Sequence, residues 1–160
     1  MVSGTAVLEK VFLYPATLHV APRPLCIATL LGTCVAVCLW DTKTRIGGMN
    51  HYLLPLWNGE GLASPKYGNI AIEKLVEKLE YAGAERRNMV AKIFGGRAQS
   101  DGNIVAYNIG LRNAQIARQM LKEYGIPIVA ENVCGEYGMN IRFDTSSGIV
   151  MMKYIKGATK

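Results

Sequence analysis

The sequence predicts an α/β protein of the α+β type: a layered sandwich of mixed β-sheet carrying two main amphipathic helices, in a single domain over residues 1–160. Three observations carry that prediction. Two segments repeat apolar residues at helical spacing, several short segments rich in β-branched and aliphatic residues have strand length, and some of these are joined by loops short enough for hairpins. Helices set among hairpin-linked strands fit a sandwich better than a strictly alternating parallel sheet.

Strands are expected over residues 7–13, 25–31, 35–40 and 46–54 in the first third of the chain. The first helix is expected over 69–82, where Ile72, Leu75, Val76 and Leu79 fall on one face and Gly83 supplies the stop. A strand over 90–94 follows, then a second helix over 110–124 with Ala114, Ala117, Met120, Leu121 and Tyr124 as its stripe. Gly125 and Pro127 end it, because glycine tolerates the left-handed conformation and proline has no N–H to donate. Strands over 128–133, 140–143 and 150–155 complete the set, the last two flanking Asp144-Thr145-Ser146-Ser147-Gly148, read as a five-residue hairpin loop.

Composition narrows the function classes. Half of the residues are hydrophobic and 19% are charged, enough apolar content for a core at this length. No apolar run reaches the ~18 residues of a membrane-spanning helix. Glu9 interrupts the stretch where a signal peptide would be apolar, so a cytoplasmic location is expected. The net charge of +6 raises nucleic-acid binding, yet the basic residues are dispersed: Arg86 and Arg87 in one place, Lys153, Lys156 and Lys160 in another. A solvated basic surface, or one that docks an acidic protein, accounts for them better. The four cysteines, Cys26, Cys34, Cys38 and Cys134, show no C-x-x-C spacing, and in a reducing compartment such residues are free and buried.

One stretch carries chemistry. In LLGTCVAVCLWDTKTRIGGMNHYLLP, residues 30–55, the segments 35–40 and 46–54 flank the polar tetrad Asp41-Thr42-Lys43-Thr44. If those four residues form the loop, Trp40 pairs with Arg45 and paired numbers sum to 85, which sets Cys38 against Gly47, Ala36 against Met49 and Cys34 against His51. Directly opposed side chains on one sheet face have Cβ atoms ~4.5–5.5 Å apart. A bulge at Gly47-Gly48 would move the register by one and turn His51 away. A thiol with pKa near ~8.5 needs a base to become a nucleophile, and an imidazole accepts its proton and later delivers it to a leaving amine. Gly32 and Thr33, just ahead of Cys34, leave backbone N–H groups available to an oxyanion. A buried cysteine is usually only a small hydrophobe; the histidine across the hairpin, one of two in the chain, distinguishes this one. Cys34, Cys38 and His51 would share a face and so raise a zinc site, but no fourth ligand is evident. No metal or cofactor enters the reading.

These residues resemble a known family. LGTCVAVCLWD followed by GGMNHYLLP is similar to the CheD chemoreceptor glutamine deamidases, in which the cysteine lies in an LGSCVAV-type stretch and the histidine in a GGMxH-type stretch. KYGNIAIEKLVEKLEYAGA, AKIFGG, NIGLRN, GIPIVAENVCGEYGMNIRFD and SSGIVMMKYIK follow in the family's order, and the cysteine-to-histidine separation of seventeen agrees. The resemblance implies an α/β sandwich that hydrolyses glutamines in the cytoplasmic helices of methyl-accepting chemoreceptors to glutamate, with Cys34 as nucleophile through a thioester and His51 as acid and base. It also implies methylester hydrolysis and a CheC-like phosphatase partner as further possibilities of the family. Its third catalytic residue is a threonine six positions before the cysteine. That position holds Ala28, with Thr29 adjacent and, on a regular strand, pointing to the opposite face. Thr29 takes the role if the segment over 30–32 is shifted or bulged. Without that hydroxyl, the same fold reads instead as a regulatory binding module, and a thiol hydrolase of small amides is a third reading.

Other residues are read as structural. His19, in LHVAPRP, belongs on a surface strand or loop, and Asn108 is read as the N-cap of the second helix. Gly95-Gly96 followed by Arg97-Ala98-Gln99-Ser100-Asp101-Gly102 makes a loop near the site, without the lysine of a phosphate-binding loop. Cys34 is expected to stand apart from the other cysteines by a depressed thiol pKa.

Overall fold

The structure, a computed structural model, describes residues 8–99 and 103–156. Val7 of the first expected strand, Ser100, Asp101 and Gly102 of the glycine-containing loop, and Lys160 lie outside the described residues, as does most of the N-terminal stretch. Nine strands and two α-helices are seen among the described residues: β1 (Lys10–Phe12), β2 (Thr17–Ala21), β3 (Cys26–Leu31), β4 (Val35–Asp41), β5 (Gly47–His51), α1 (Gly68–Tyr81), β6 (Met89–Gly95), α2 (Ile104–Tyr124), β7 (Ile128–Val133), β8 (Gly138–Asp144) and β9 (Ile149–Ile155). No helix among them is long and apolar enough to cross a membrane.

The strands form two mixed sheets, a four-stranded one in the order β1-β3-β8-β9 and a five-stranded one in the order β2-β5-β4-β6-β7. Both helices cover one face of the five-stranded sheet, and the four-stranded sheet covers the other. The alternation of side chains along β4 builds the two cores. Val35, Val37 and Leu39 join Ile72, Leu75, Leu79 and Ala117 under the helices. Ala36 and Cys38 join Met49, Ile27, Leu31, Ile141 and Phe143 between the sheets. Each fully buried aliphatic side chain contributes roughly 1.5–3 kcal/mol.

The expected helical stripes are the buried ones: Ile72, Leu75, Val76 and Leu79 on α1, and Ala114, Ala117 and Leu121 on α2. Gly125 caps α2 in the left-handed conformation, with φ 73°. The start of the second helix needs correction. The second helix starts at Ile104, and its N-cap is Asn103, whose side chain accepts from the Ala106 N–H at 3.1 Å. Asn108 is an exposed residue inside the helix. In the extra turns Ile104, Val105 and Asn108 are exposed, so no buried apolar stripe marks them. β2, left between strand and loop by the sequence, is a strand in which His19 is half-buried opposite Met49.

The register of the first hairpin also differs. Cys38 pairs with Met49, Leu39 with Gly48 and Trp40 with Gly47, so paired numbers sum to 87. The reason is Asp41, which belongs to the strand: its N–H donates to the Ile46 carbonyl at 2.9 Å. Its buried carboxylate accepts from the N–H groups of Lys43 (2.7 Å), Thr44 (2.9 Å) and Glu85 (2.8 Å). Burial alone would raise the carboxyl pKa, but these donors outweigh it and hold the group below its ordinary value. The loop is therefore 42–45, with Arg45 at φ 64°. Asp144 behaves alike in the second hairpin: it pairs with Ile149 and accepts from the Ser146 N–H at 2.8 Å, leaving a four-residue loop in which Gly148 has φ 81°. The two hairpin tips lock together, with Trp40 Nε1 donating to the Thr145 carbonyl (2.8 Å), Lys92 Nζ to the Gly148 carbonyl (2.9 Å), and Gly148 packed against the Trp40 ring.

Replacing Asp41 with alanine strands three backbone donors at once. Urea denaturation of Asp41→Ala is expected to give a stability roughly 2–4 kcal/mol below that of the parent chain.

Candidate active site

The turn Gly32–Thr33–Cys34 carries the chain from β3 in one sheet to β4 in the other. Its three carbonyls are all held. Gly32 accepts from the Arg97 N–H (2.8 Å), Thr33 from Asn113 Nδ2 (3.0 Å) and Cys34 from the Gly96 N–H (2.8 Å). Gly95 lies so close that a Cβ there would sit 2.2 Å from the Cys34 carbonyl oxygen, and both Gly95 and Gly96 have positive φ. The glycine pair is thus the cradle of the cysteine turn. Cys34 itself is half-buried and packs against the cluster between the sheets.

His51 ends β5 and is buried, 3% exposed. In the observed register Ala36, not Cys34, is the residue opposite it, and Cys34 is its diagonal neighbour. Because the register moved by two, both stay on the face between the sheets. The ladder opens at this point. The Val37 N–H donates to Asn50 Oδ1 (2.8 Å), and regular pairing resumes only where Val35 and Tyr52 exchange hydrogen bonds of 3.2 and 3.0 Å.

From the other sheet Thr29 meets His51. Thr29 Oγ1 lies 2.8 Å from His51 Nδ1 and donates to the Leu13 carbonyl at 2.7 Å. A hydroxyl has one proton. Since Leu13 receives it, the imidazole must donate Nδ1–H to the hydroxyl oxygen, which leaves Nε2 unprotonated and free to act as a base. β3 needs no bulge for this: every residue from Cys26 to Leu31 pairs in step with β8. Thr29 points inward by ordinary alternation, with Ile27 and Leu31, while Ala28 takes the other face.

Burial pulls the His51 pKa from 6.5 down to about 4. Burial likewise pushes the Cys34 thiol up, with its own backbone N–H pulling partly back. The expected depressed thiol is therefore reversed, and the resting pair is neutral thiol and neutral imidazole. Burial also raises the Cys26, Cys38 and Cys134 thiols, and all four cysteines are free. Among the described residues no group of three or more His, Cys, Asp and Glu side chains is arranged to share a metal ion.

Asn113 is the residue that sequence reasoning passed over. It is fully buried on α2, on the same face as Gly110, Ala114 and Ala117. A polar residue on the apolar stripe was the available signal.

The sequence profile described as CheD chemotactic sensory transduction matches residues 53–154. A Sulfurimonas denitrificans protein named probable chemoreceptor glutamine deamidase CheD is 54% identical over 92% of this chain and 96% of its own. A protein of the same name from Trichlorobacter lovleyi is 46% identical over 91% and 90%. The chain belongs to the CheD family. Solved structures agree on the fold alone. A Neisseria meningitidis protein of the DUF152 family matches with TM-score 0.51 and 12% identity over 80% of this chain and 64% of that one. Bacillus licheniformis YfiH matches with TM-score 0.51 and 16% identity over 82% and 66%. This CheD-family chain spans just under two thirds of either structure. Its Thr29, one place past the position counted from the family pattern, is the threonine that reaches the histidine.

The buried imidazole has measurable consequences. Nitrogen NMR at neutral pH is expected to show His51 as the Nδ1–H tautomer. Between about 6.5 and about 4 the unfolded chain binds a proton that the folded chain refuses. Stability therefore falls as pH drops through that window, by up to roughly 3 kcal/mol. Denaturation of His51→Gln should show that part of the slope removed.

Proposed function

We propose that this chain hydrolyses glutamine side chains in the cytoplasmic helices of chemoreceptors to glutamate and ammonia, with Cys34 as nucleophile, His51 as acid and base, and Thr29 orienting His51. The Thr29–His51 hydrogen bond carries the reading, because it fixes the tautomer that a general base needs. The names of the relatives supply the substrate class.

The steps follow from the two neutral groups. As Cys34 Sγ attacks the carboxamide carbon, its proton passes to His51 Nε2 and the carbonyl oxygen becomes an oxyanion. The imidazolium gives that proton to the nitrogen, the C–N bond breaks, and ammonia leaves a thioester on Cys34. Water then attacks the thioester while His51 takes its proton. The C–S bond breaks, glutamate is released, and the proton returns to the sulfur. Thr29 supports the imidazolium by accepting from Nδ1–H throughout. A raised thiol pKa favours a sulfur that is strongly nucleophilic once deprotonated, and it delays charge separation until substrate has arrived.

The binding-module reading rested on Ala28, and Thr29 at His51 leaves it without that support. A cytoplasmic site of action follows from the substrate. A CheC-like phosphatase partner and methylester hydrolysis rest on the family likeness alone. Each amide converted adds a negative charge to a receptor helix, which biases helix packing and so a signalling equilibrium.

Purified chain incubated with a receptor cytoplasmic fragment should convert defined glutamines to glutamate, read by mass spectrometry. Cys34→Ala should stop conversion, and Thr29→Val should slow it on the order of 10- to 10³-fold. Full-rate conversion by Cys34→Ala would sink the mechanism.

A further inference from the structure

The β4–β5 ladder stops one step short of the nucleophile. With numbers summing to 87, the hydrogen-bonded pair after Val35 and Tyr52 would be Thr33 and Leu54. The Leu54 N–H is instead drawn away to the Lys66 carbonyl at 3.1 Å, so Thr33 loses its sheet donor. Asn113 replaces it. Its Nδ2 donates to the Thr33 carbonyl at 3.0 Å and to the Leu53 carbonyl at 2.9 Å, bridging the strand ends that follow Leu31 and His51. The Tyr52 hydroxyl donates to the Asn113 backbone carbonyl at 2.5 Å and fixes the helix turn itself. One turn earlier, Gly110 lets α2 close on the cradle: a Cβ there would lie 2.1 Å from the Arg97 carbonyl oxygen. The amide is kept although its own Oδ1 is buried without a partner, a desolvation burden of the kind that a purely apolar contact would avoid.

What the amide controls follows from peptide geometry. In a trans peptide the C=O and the next N–H point in opposite directions. The Thr33 carbonyl points toward Asn113 of α2, so the Cys34 N–H points away from that side chain. Among the described residues this N–H has no hydrogen-bond acceptor in another residue. It lies close enough to its own sulfur to draw the thiol pKa partly down. We infer that Asn113 is a positioning residue of the deamidation: by holding the Thr33 carbonyl it aims the Cys34 N–H at the oxyanion that forms when the sulfur attacks. The inference rests on the nucleophilic role of Cys34 proposed above.

Two reactions of the same sulfur test it. Deamidation of the receptor fragment passes through an oxyanion, whereas alkylation of Cys34 by iodoacetamide is a displacement at carbon that forms none. In Asn113→Ala, kcat for deamidation is expected to fall on the order of 10²-fold with KM little changed. The limiting alkylation rate of Cys34 at high pH, where the thiolate is fully formed, should stay within about threefold of the parent rate. Asn113→Leu, which fills the site without a donor, carries the same comparison where the alanine variant does not melt cooperatively. An equal loss of both reactions would mean that Asn113 merely keeps the turn folded, and deamidation near the parent rate would mean that it does nothing for the oxyanion; either overturns the inference. Parent chain that forms no glutamate, or Cys34→Ala that forms it, overturns the mechanism as well, and the controls separate that failure from one confined to Asn113.

Discussion

The single proton of the Thr29 hydroxyl decides how this molecule is organised. It goes to Leu13, in the link between β1 and β2, and that choice makes the oxygen an acceptor for His51. Three segments from two sheets thereby agree on one imidazole tautomer. The same bond satisfies a buried Nδ1–H that would otherwise cost about 1–3 kcal/mol. Packing and chemistry are not separate tasks at this point: the contact that closes the sandwich around His51 also leaves Nε2 bare.

Much of this was legible in the residues. The stripes of α1 and α2 and the run of strands follow from apolar spacing, which the layered core requires directly. The shared face of Cys34 and His51 survived a wrong register, because a loop displaced by one residue shifts the pairing by two and leaves every side chain on its own side. What misled was aspartate. Asp41 and Asp144 look like loop residues by propensity, but each is the last strand residue, and its carboxylate ties down the turn that follows. Counting back from Cys34 pointed to Ala28, whereas strand alternation, with Ile27 and Leu31 inward, points to Thr29. Asn113 was the hardest to see. The need it meets, a carbonyl deprived of its sheet donor, exists only after Leu54 has turned toward Lys66.

Electrostatically the site is built for restraint. Desolvation disfavours both thiolate and imidazolium, so the resting chain holds no ion pair between Cys34 and His51. In the proposed mechanism the charges that develop are met by fixed groups: the Thr29 oxygen for the imidazolium and backbone N–H for the oxyanion. Preorganised dipoles of this kind are effective because they need not reorient when charge appears.

The interlocked hairpin tips add a mechanical consequence. Trp40, Thr145, Lys92 and Gly148 fasten the two sheets at the end remote from Cys34, as a clasp fastens the covers of a book. The spine of that book is the three-residue turn Gly32–Thr33–Cys34, which joins β3 of one sheet to β4 of the other through the chain itself. The Thr29–His51 contact lies between spine and clasp. Bound at both edges, the covers hold the imidazole as a pressed leaf is held.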